Sequence, residues 1–485
     1  MKNVSISAKA FVVSALILAG LMVAAGVLTR VVPAGAYERI QGPYGTSLVP
    51  GSYRVLERPD YPIWRWLTAP VEVLASPDAL TAVVIIAFIA IAGGSFAGLN
   101  EARVLEAAVA ILARRYRARR FRLLAAVSLF GMLLGSLMGV FEESVLLLPV
   151  AGALAASFGW DALTGLGMSV LAVGFGFSAA VSNPFSIGTA QRLAGIPLFS
   201  GAPFRILVLA ACYGLYVGFL TRYARRLELK GSGALPAAAG SGVPSSGSAV
   251  VPGSVPASSP AEPELPAESY RGARAFGVSM AGLLAVVLAV ALVPGLSDYS
   301  LPVMALAFLA AGFASTRASG FPVRRWLSAF GGGALGVLPA GILILMALSV
   351  KRIVLSGGVL DTILHGAAQA VSGASGYGAA ALMYLLTLVL NFFIGSASAK
   401  AFLLMPLLAP LADLTNLSRQ IAVQAFAFGD GFSNMLYPTN AVLLISLSIA
   451  GVSWPKYARW VLPLQTAAFV LTMGLLMLSV AIGYR

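Results

Sequence analysis

Reactive side chains are scarce in this chain of 485 residues, which contains one cysteine, Cys212, and one histidine, His365. One cysteine excludes an internal disulfide and any cysteine-rich zinc or iron–sulfur site. One histidine excludes HExxH sites and metal centres with several histidine ligands. We therefore interpret both residues as packing residues, and we predict that the chain is not an enzyme and needs no cofactor.

Charged residues are also scarce, since they make up 10% of the chain, whereas soluble domains carry about 25%. Hydrophobic residues make up 59%, and the mean hydropathy is +0.90. Such an apolar surface needs lipid around it, so we predict a polytopic protein of the lipid bilayer, with no nucleic-acid partner. The net charge of +14 fits Lys and Arg residues crowded in cytoplasmic loops.

Several apolar runs are about long enough to cross a bilayer, which takes about 20 residues of helix. They lie at 10–29, 81–99, 164–181, 203–221, 274–294, 301–316, 331–350, 417–436 and 460–482. Two more apolar regions, 121–158 and 378–412, do not divide into full spans. Most Lys and Arg residues fall in loops on the side of the N-terminus, so we predict a cytoplasmic N-terminus in a bacterial inner membrane.

Residues 231–268 differ in composition from the rest, because more than half of them are Gly, Pro or Ser. Such a segment buries little apolar surface and is typical of a disordered linker. We predict that it lies in the cytoplasm and joins an N-terminal membrane repeat, 1–230, to a C-terminal membrane repeat, 269–485.

The two repeats carry similar motifs in the same order. Each has a polar cluster, an apolar run with a proline (Pro149 or Pro406), and a Gly- and Phe-rich helix broken beside a proline (Pro184 or Pro438). When the spans are counted from a cytoplasmic N-terminus, the chain reaches the first polar cluster from the cytoplasm and the second from outside. We therefore predict that the two repeats are inverted. Inverted repeats with broken helices are typical of secondary transporters.

The arms that follow the polar clusters, 144–158 and 401–412, are too short to cross about 30 Å of hydrocarbon at about 1.5 Å per residue. We therefore predict two re-entrant hairpins with tips at Phe141–Ser144 and Gly395–Lys400. Exposed backbone at such tips needs protein or a water-filled site around it. The alternative is an ordinary helix pair with a tight turn at the membrane surface.

Charged residues occur at both predicted tips. Glu142 and Glu143 are adjacent in the first, and two neighbouring carboxylates at membrane depth need a cation or a proton. We predict that they couple transport to an ion, and the alternative is a helix cap at the membrane surface. Lys400 aligns with Glu143 when the hairpin prolines are superposed, so we expect it to pair with Glu143 or to bind a substrate carboxylate. A snorkelling lysine is its alternative.

Small polar residues gather at the second tip and at both helix breaks. They are Ser182, Asn183, Ser396, Ser398, Ser433, Asn434, Thr439 and Asn440. Their oxygens and the freed carbonyls suit Na⁺, while the N–H ends of half-helices suit a carboxylate. We predict that they bind substrate or ion, with a Na⁺ site at Ser396, Ser398 and Asn440. Asp430 is either a further ligand or a partner of local N–H groups.

Six motifs carry a family resemblance. They are VVPAGAYER (31–39), VPGSY (49–53), GVFEES (139–144), SNPFSIGTAQRLAGIPLFSG (182–201), NFFIGSASAKAFLLMPLLAPLADLTNLSRQ (391–420) and FGDGFSNMLYPTNAVL (428–443). They closely resemble the YfcC family, described as C4-dicarboxylate anaerobic carriers or basic amino-acid antiporters of the ion-transporter superfamily. The resemblance implies an all-α fold with two re-entrant hairpins and two broken helices. It also implies a transport domain that moves like an elevator against a scaffold domain, in a homodimer.

The sodium symporters of that superfamily carry Ser-Asn-Thr at a hairpin tip and a Pro-Pro-Asn-like motif at a broken helix. The similar positions here are Ser396-Ala397-Ser398 and Pro438-Thr439-Asn440. The first half departs from that pattern, because its tip carries two glutamates. The family also more usually has Gln where this chain has Lys400.

These observations predict a secondary active transporter that moves a small carboxylate or amino acid with Na⁺ or H⁺. The alternatives are an antiporter of basic amino acids, a passive channel, and an intramembrane enzyme with a Ser–Lys pair at Lys400. An ion gradient drives a transporter uphill but not a channel, and only the enzyme would carry a serine that a phosphonate labels.

Overall fold

The computed structural model describes residues 8–42, 45–232, 265–292 and 300–485, and most of them are helical. Within those ranges, seven helices are long and apolar enough to cross a membrane. Shorter apolar helices accompany them. The chain is therefore a multi-pass membrane protein built mainly from helices, as its composition predicts.

The N-terminal repeat begins with four helices and a stretch of short strands. The helices are α1 (Ala8–Val31), α2 (Arg65–Val73), α3 (Ala79–Glu101) and α4 (Val104–Tyr116). Between α1 and α2, β1 (Gly35–Ala36) pairs antiparallel with β4 (Arg54–Val55), and β2 (Arg39–Gly42) pairs antiparallel with β3 (Gly45–Leu48). The all-α prediction omits these strands, because they form in a connection between two apolar runs.

A helical hairpin follows α4. Its first arm is α5 (Arg120–Leu133) with a π-helical end at Leu134–Met138, and its second arm is a 3-10 segment at Glu142–Leu147 followed by α6 (Leu148–Ser157). The chain turns between the arms, where Gly139 has φ +71°, a conformation that favours glycine. The turn begins before the predicted tip, because Glu142 already starts the second arm.

The next helix is broken, as its proline and asparagine predict. α7 (Ala162–Leu166) continues through a π-helical turn at Gly167–Leu171 into α8 (Ala172–Ser178), and helix resumes at Pro184–Gly188 and in α9 (Thr189–Leu193). We call residues 179–183 the first break. Proline has no N–H to donate, so a helix does not run through Pro184 without losing a hydrogen bond. The repeat ends with α10 (Ala202–Ser232).

After α10, the chain again forms a helical hairpin that is followed by a broken helix and a long helix. The helices that follow α10 are α11 (Ala267–Leu292), α12 (Ser300–Ala318), α13 (Val323–Ser356), α14 (Leu360–Ser372), α15 (Gly376–Asn391), α16 (Ala397–Leu414), α17 (Arg419–Asn434), α18 (Ala441–Ile449) and α19 (Trp454–Ala481). The second hairpin consists of α15 and α16 and turns at 392–396. The second break, residues 435–440, separates α17 from α18.

The second arm of this hairpin is longer than predicted. It is α16, with 18 residues, whereas the sequence suggested 401–412. The Ser396 hydroxyl caps the helix by accepting from the Ala399 N–H at 3.4 Å, so the segment through Lys400 is helical and the turn lies before it. Helix α16 is itself long enough to span a membrane, and re-entry of this hairpin stays a prediction.

The predicted linker overlaps both neighbouring helices at its ends. Helix α10 extends to Ser232 and α11 starts at Ala267, so residues 231–232 and 267–268 are helical. The central part, 233–264, lies outside the described residues. The division of the chain at this linker remains a prediction.

Glycines allow the broken helices to pack closely. A Cβ on Gly176 of α8 would lie 1.9 Å from the carbonyl oxygen of Met132 in α5. A Cβ on Gly429 of α17 would lie 2.7 Å from the carbonyl oxygen of Tyr384 in α15. A Cβ on Gly431 would lie 2.4 Å from the Cα of Ser178. The two broken helices therefore touch each other directly beside their breaks.

Equivalent contacts hold the two breaks. Val181 and Met435 each lie three residues before the proline of their break. The carbonyl oxygen of each accepts a hydrogen bond from the side chain of the fourth residue of a long helix. Arg205 of α10 donates from Nε to the Val181 oxygen at 2.9 Å, and Tyr457 of α19 donates its hydroxyl to the Met435 oxygen at 2.8 Å. The carbonyls of the two breaks are thus bound in a similar way.

Candidate functional site

A buried ion pair lies beside the second break. The Nζ of Lys400, on α16, is 2.6 Å from Oδ1 of Asp430, on α17, and both side chains are fully buried. Lys400 also donates to Oδ1 of Asn391, at the end of α15. Three helices of the C-terminal repeat therefore meet at one ammonium group.

A chain of amides extends from this pair to the second break. Asn391 donates from Nδ2 to Oγ of Ser433 at 2.7 Å and to Oδ1 of Asn434 at 2.8 Å. Asn440 donates from Nδ2 to the same Asn434 oxygen at 3.0 Å. All of these residues are buried, so the arrangement is a polar core within an apolar bundle.

Such a pair is expensive to build and to disrupt. Lys400 is the cation that faces Asp430, and among the described residues the Asp430 carboxylate accepts no hydrogen bond. Removing one partner of a buried pair typically costs about 3–5 kcal/mol, because the other charge stays behind unpaired. Ionisable residues held at membrane depth usually serve a function. The pair therefore marks a candidate site for charged ligands.

The second break owes its shape to local hydrogen bonds. Asn440 caps α18, since its Oδ1 accepts from the Leu443 N–H at 3.1 Å. Thr439 donates its hydroxyl to the Phe392 carbonyl at 2.8 Å, which ties the break to the turn of the second hairpin. The break and the hairpin turn are thereby held together around the Lys400–Asp430 pair.

The predicted residues of the second tip take separate partners. Ser396 is exposed and caps α16, whereas Ser398 donates its hydroxyl to the Phe185 carbonyl of the first repeat at 3.2 Å. Within the described part of the chain, no hydrogen bond joins the side chains of Ser396, Ser398 and Asn440. The Na⁺ site predicted for these three residues stays a prediction.

At the first break, Asn183 plays the part that Asn440 plays at the second. Its Oδ1 accepts from the N–H groups of Phe185 at 2.9 Å and Ser186 at 3.2 Å. Ser182 donates its hydroxyl to the Leu137 carbonyl at 3.1 Å, which ties this break to the first hairpin. The predicted repetition of polar residues at the two breaks is therefore matched by repeated capping.

The glutamates occupy the start of the second arm of the first hairpin. The side chain of Glu142 is exposed, and its carboxyl group interacts electrostatically with that of Asp430. The side chain of Glu143 lies outside the described residues. The expected pairing of Glu143 with Lys400 stays a prediction, and the ion pair that the structure gives Lys400 is with Asp430.

Sequence reasoning missed three buried polar residues. Asn391 lies inside the apolar region 378–412, and a lone amide in that position was the available signal. Arg205, near the start of the apolar run 203–221, is 1% exposed. Gln424, also 1% exposed, lies within α17. Their importance depends on which helices meet, which neither composition nor spacing reveals.

Known proteins resemble this chain over nearly its whole length. The model of the C4-dicarboxylate anaerobic carrier family, DcuC, matches residues 11–481. The chain is 28% identical to the "Putative basic amino acid antiporter YfcC" of Escherichia coli (strain K12). The alignment is 495 residues long including gaps, and it covers 94% of each protein. It is 24% identical to an "Uncharacterized protein" of Haemophilus influenzae over 438 residues, which cover 90% of this chain and 82% of that protein.

Two solved structures are also similar. The YdaH transporter of Alcanivorax borkumensis is 20% identical with a TM-score of 0.41, and the match covers 98% of both chains. MtrF of Neisseria gonorrhoeae, from a class of antimetabolite efflux pumps, is 17% identical with a TM-score of 0.39. That match covers 98% of this chain and 95% of MtrF.

Proposed function

Since the chain belongs to the C4-dicarboxylate anaerobic carrier family, as its motifs predict, we propose that it is a secondary active transporter with Na⁺ or H⁺ as coupling ion. Its substrate is a small carboxylate or an amino acid. It works in a bacterial inner membrane with its N-terminus in the cytoplasm. Membership of a carrier family supports transport, whereas the substrate, the ion and the orientation are our proposal.

The observation that carries this proposal is the buried pair of Lys400 and Asp430. Its Nζ–Oδ1 distance is 2.6 Å and neither side chain is exposed. A carboxylate ligand can replace Asp430 as the partner of the ammonium group. A proton, Na⁺ or a ligand ammonium can replace Lys400 as the partner of the carboxylate. The same two residues therefore suit both a substrate and a coupling cation.

Charge balance makes the two binding events depend on each other. A carboxylate that takes Lys400 leaves Asp430 without a partner, and an unpaired charge at membrane depth costs several kcal/mol. A cation that arrives at Asp430 removes this cost. Each ligand thus raises the affinity for the other by the same factor, which is the thermodynamic requirement for coupling.

Glu142 is our candidate for delivering the proton in a proton-coupled cycle. Its side chain is accessible and lies within electrostatic range of Asp430. Two neighbouring carboxylates repel each other when both are ionised. A proton that binds to one of them is therefore shared with the other. Glu143 is proposed as its neighbour in the same role.

We propose that the hairpins and breaks move together as one transport unit. Ser398 links the second hairpin to the first repeat at Phe185, and Thr439 links the second break to Phe392. An elevator-like movement of this unit against the remaining helices would carry the Lys400–Asp430 site across the membrane. A homodimer is the assembly that the family resemblance implies.

Exchange of basic amino acids is a second candidate. One relative's printed name is that of such an antiporter. Asp430 and Glu142 can carry two negative charges, whereas Lys400 carries one positive charge, so one negative charge is in excess. A cationic substrate neutralises that excess, whereas a dicarboxylate increases the imbalance.

Uptake into proteoliposomes tests the proposal. The panel is labelled succinate, fumarate, acetate, alanine, arginine and lysine, each with an imposed Na⁺ or pH gradient or with internal amino acid for exchange. We expect one class to accumulate, and we expect both Asp430→Asn and Lys400→Gln to abolish it. Ser372→Ala, at the exposed end of α14, is the control. Wild-type uptake by both site variants would contradict the assignment.

A further inference from the structure

A cluster of arginine and aromatic side chains lies where two helices long enough to span a membrane end. Arg120 is the first residue of α5, and the candidate span of α10 ends at Leu229. The guanidinium carbons of Arg120 and of Arg225, on α10, lie 5.1 Å and 5.2 Å from the centroid of the same ring, that of Phe121. Because an aromatic face attracts a cation within about 6 Å of its centroid, this ring brings two guanidinium groups together.

Hydrogen bonds fix one of the two guanidinium groups. Arg120 donates from Nε and Nη2 to the two carboxylate oxygens of Glu228, at 2.6 Å and 2.8 Å. Trp160, in the connection between α6 and α7, donates from Nε1 to Oε1 of Glu228 at 3.0 Å, and its ring lies 5.7 Å from that of Phe121. Contacts between α5, α10 and this connection therefore hold the cluster in one arrangement.

The cluster carries more positive charge than its own acids neutralise. Arg225 is exposed, and no ion pair of the described residues includes it. The other acid beside the cluster, Asp161, accepts from the Thr164 N–H at 3.0 Å and from the Tyr223 hydroxyl at 2.6 Å. Further exposed arginines at the same helix ends are Arg119, Arg122, Arg222 and Arg226. The cluster therefore favours an anionic partner.

We propose that Arg225, Arg120 and Phe121 form a binding site for the phosphate group of an anionic phospholipid. Guanidinium groups suit phosphate because they donate several hydrogen bonds in a planar arrangement. A lipid supplies this phosphate because the cluster lies at the ends of two spans, which is the depth of the headgroups. Trp160 and Phe158, whose rings are 5.1 Å apart, are aromatic residues of the kind enriched at that depth.

The proposed site lies at the base of the first hairpin. Helix α5 is the first arm of this hairpin, and Trp160 follows the end of the second arm by three residues. A lipid phosphate that binds Arg120 and Arg225 together links this base to α10. A ligand that binds the folded state alone stabilises it, so we expect the lipid to raise the unfolding temperature. This site depends on the membrane location of the chain and not on its transport activity.

Lipid binding to the full-length protein, purified in an uncharged detergent, tests the proposal. Phosphatidylglycerol, phosphatidylcholine and sodium glycerol phosphate are added at equal concentrations, and thermal unfolding and native mass spectrometry measure stabilisation and bound lipid. We expect phosphatidylglycerol to bind and to raise the unfolding temperature, and the other two to have much smaller effects. Equal effects of the two lipids would overturn the proposal. An equal effect of glycerol phosphate would overturn the lipid as the source of the phosphate.

Two variants distinguish a formed site from a diffuse positive surface. Arg225→Gln leaves the Arg120–Glu228 pair in place, and it should bind phosphatidylglycerol about ten-fold more weakly, about the loss of one hydrogen bond to a charged group. Phe121→Leu keeps every charge but removes the aromatic face that holds both guanidinium groups, so it should bind about three-fold more weakly. Weaker binding in Arg225→Gln alone would overturn the site in favour of a diffuse positive surface.

The matched control is Arg324→Gln, which removes the same charge from the exposed start of α13. It should bind phosphatidylglycerol as the wild-type protein does. If Phe121→Leu unfolds at a lower temperature without lipid, the lipid counted by native mass spectrometry on the folded fraction still decides the question. Unchanged binding in both site variants, or an equal loss in Arg324→Gln, would overturn the proposal.

Discussion

At the scale of single residues, the site depends on charges that compensate one another inside an apolar bundle. Lys400 and Asp430 satisfy each other, and Asn391 takes another of the ammonium hydrogens. Arg205 donates hydrogen bonds to two acceptors, and within the described residues its Nη2 atom donates none. Buried charge therefore exists in a paired form at the second break and in an open form at the first.

The pair makes a prediction about stability. Asp430→Asn and Lys400→Met should each destabilise the purified protein by about 3–5 kcal/mol, because each leaves one buried charge unpaired. The double variant Lys400→Met, Asp430→Leu should be less destabilised than either single variant, since no charge remains. Chemical or thermal unfolding of the detergent-solubilised protein measures the difference.

The matched control is the exposed pair of Arg271 and Glu268, whose side chains are 67% and 59% exposed. Arg271→Gln should change stability by less than about 1 kcal/mol. An Asp430→Asn variant as stable as that control would show that the buried pair is not the charged centre of the site.

Sequence reasoning went further with some residues than with others. The breaks at Pro184 and Pro438 were predictable, since proline cannot donate and asparagine caps the helix that follows. The deep location of Lys400 was predictable from its apolar and small neighbours. Its partner was not, because Asp430 is 30 positions away and meets it only where α16 crosses α17.

At the scale of elements, the fold depends on helices that approach closely without side chains between them. The contact of α8 with α5 needs Gly176, and the contact of α17 with α15 needs Gly429. Boundaries of elements were harder to predict than their order. The second hairpin arm begins at Ala397 because Ser396 caps it, a local hydrogen bond that the hydropathy pattern does not contain.

The close contact makes a prediction for glycine substitutions. Gly176→Ala should destabilise the protein by about 2 kcal/mol or more, because the new Cβ would overlap the Met132 carbonyl and force α5 and α8 apart. Gly474→Ala, in α19, meets nothing within 4 Å and should be neutral or stabilising by about 1 kcal/mol. Unfolding temperatures of the two variants test this, and equal values would contradict the packing.

At the scale of the whole molecule, the two broken helices meet beside their breaks. The tie between Ser398 and Phe185 joins the second hairpin to the first broken helix, and the contact of Gly431 with Ser178 joins the broken helices. A movement of either break must therefore affect the other. An elevator-like cycle of the joined unit predicts that the second hairpin turn becomes accessible from both sides of the membrane.

Cysteine labelling tests that accessibility. The native Cys212 is fully buried, so Cys212→Ala gives a clean background for Gly395→Cys, at an exposed position with open space around it. We expect a membrane-impermeant maleimide to label Gly395→Cys from outside in cells and from the cytoplasmic side in inverted vesicles. Labelling from one side alone, under every ion gradient, would favour an ordinary helix pair at the membrane surface.

The most direct test of the central claim is uphill accumulation in sealed proteoliposomes. The substrate is the one that the uptake panel selects, present at equal concentration on both sides, and a Na⁺ or proton gradient is then imposed. We predict that the wild-type protein concentrates the substrate several-fold inside and that Asp430→Asn does not. Equilibration without accumulation under every gradient, or accumulation unchanged in Asp430→Asn, would contradict the account of a secondary active transporter built on the Lys400–Asp430 pair.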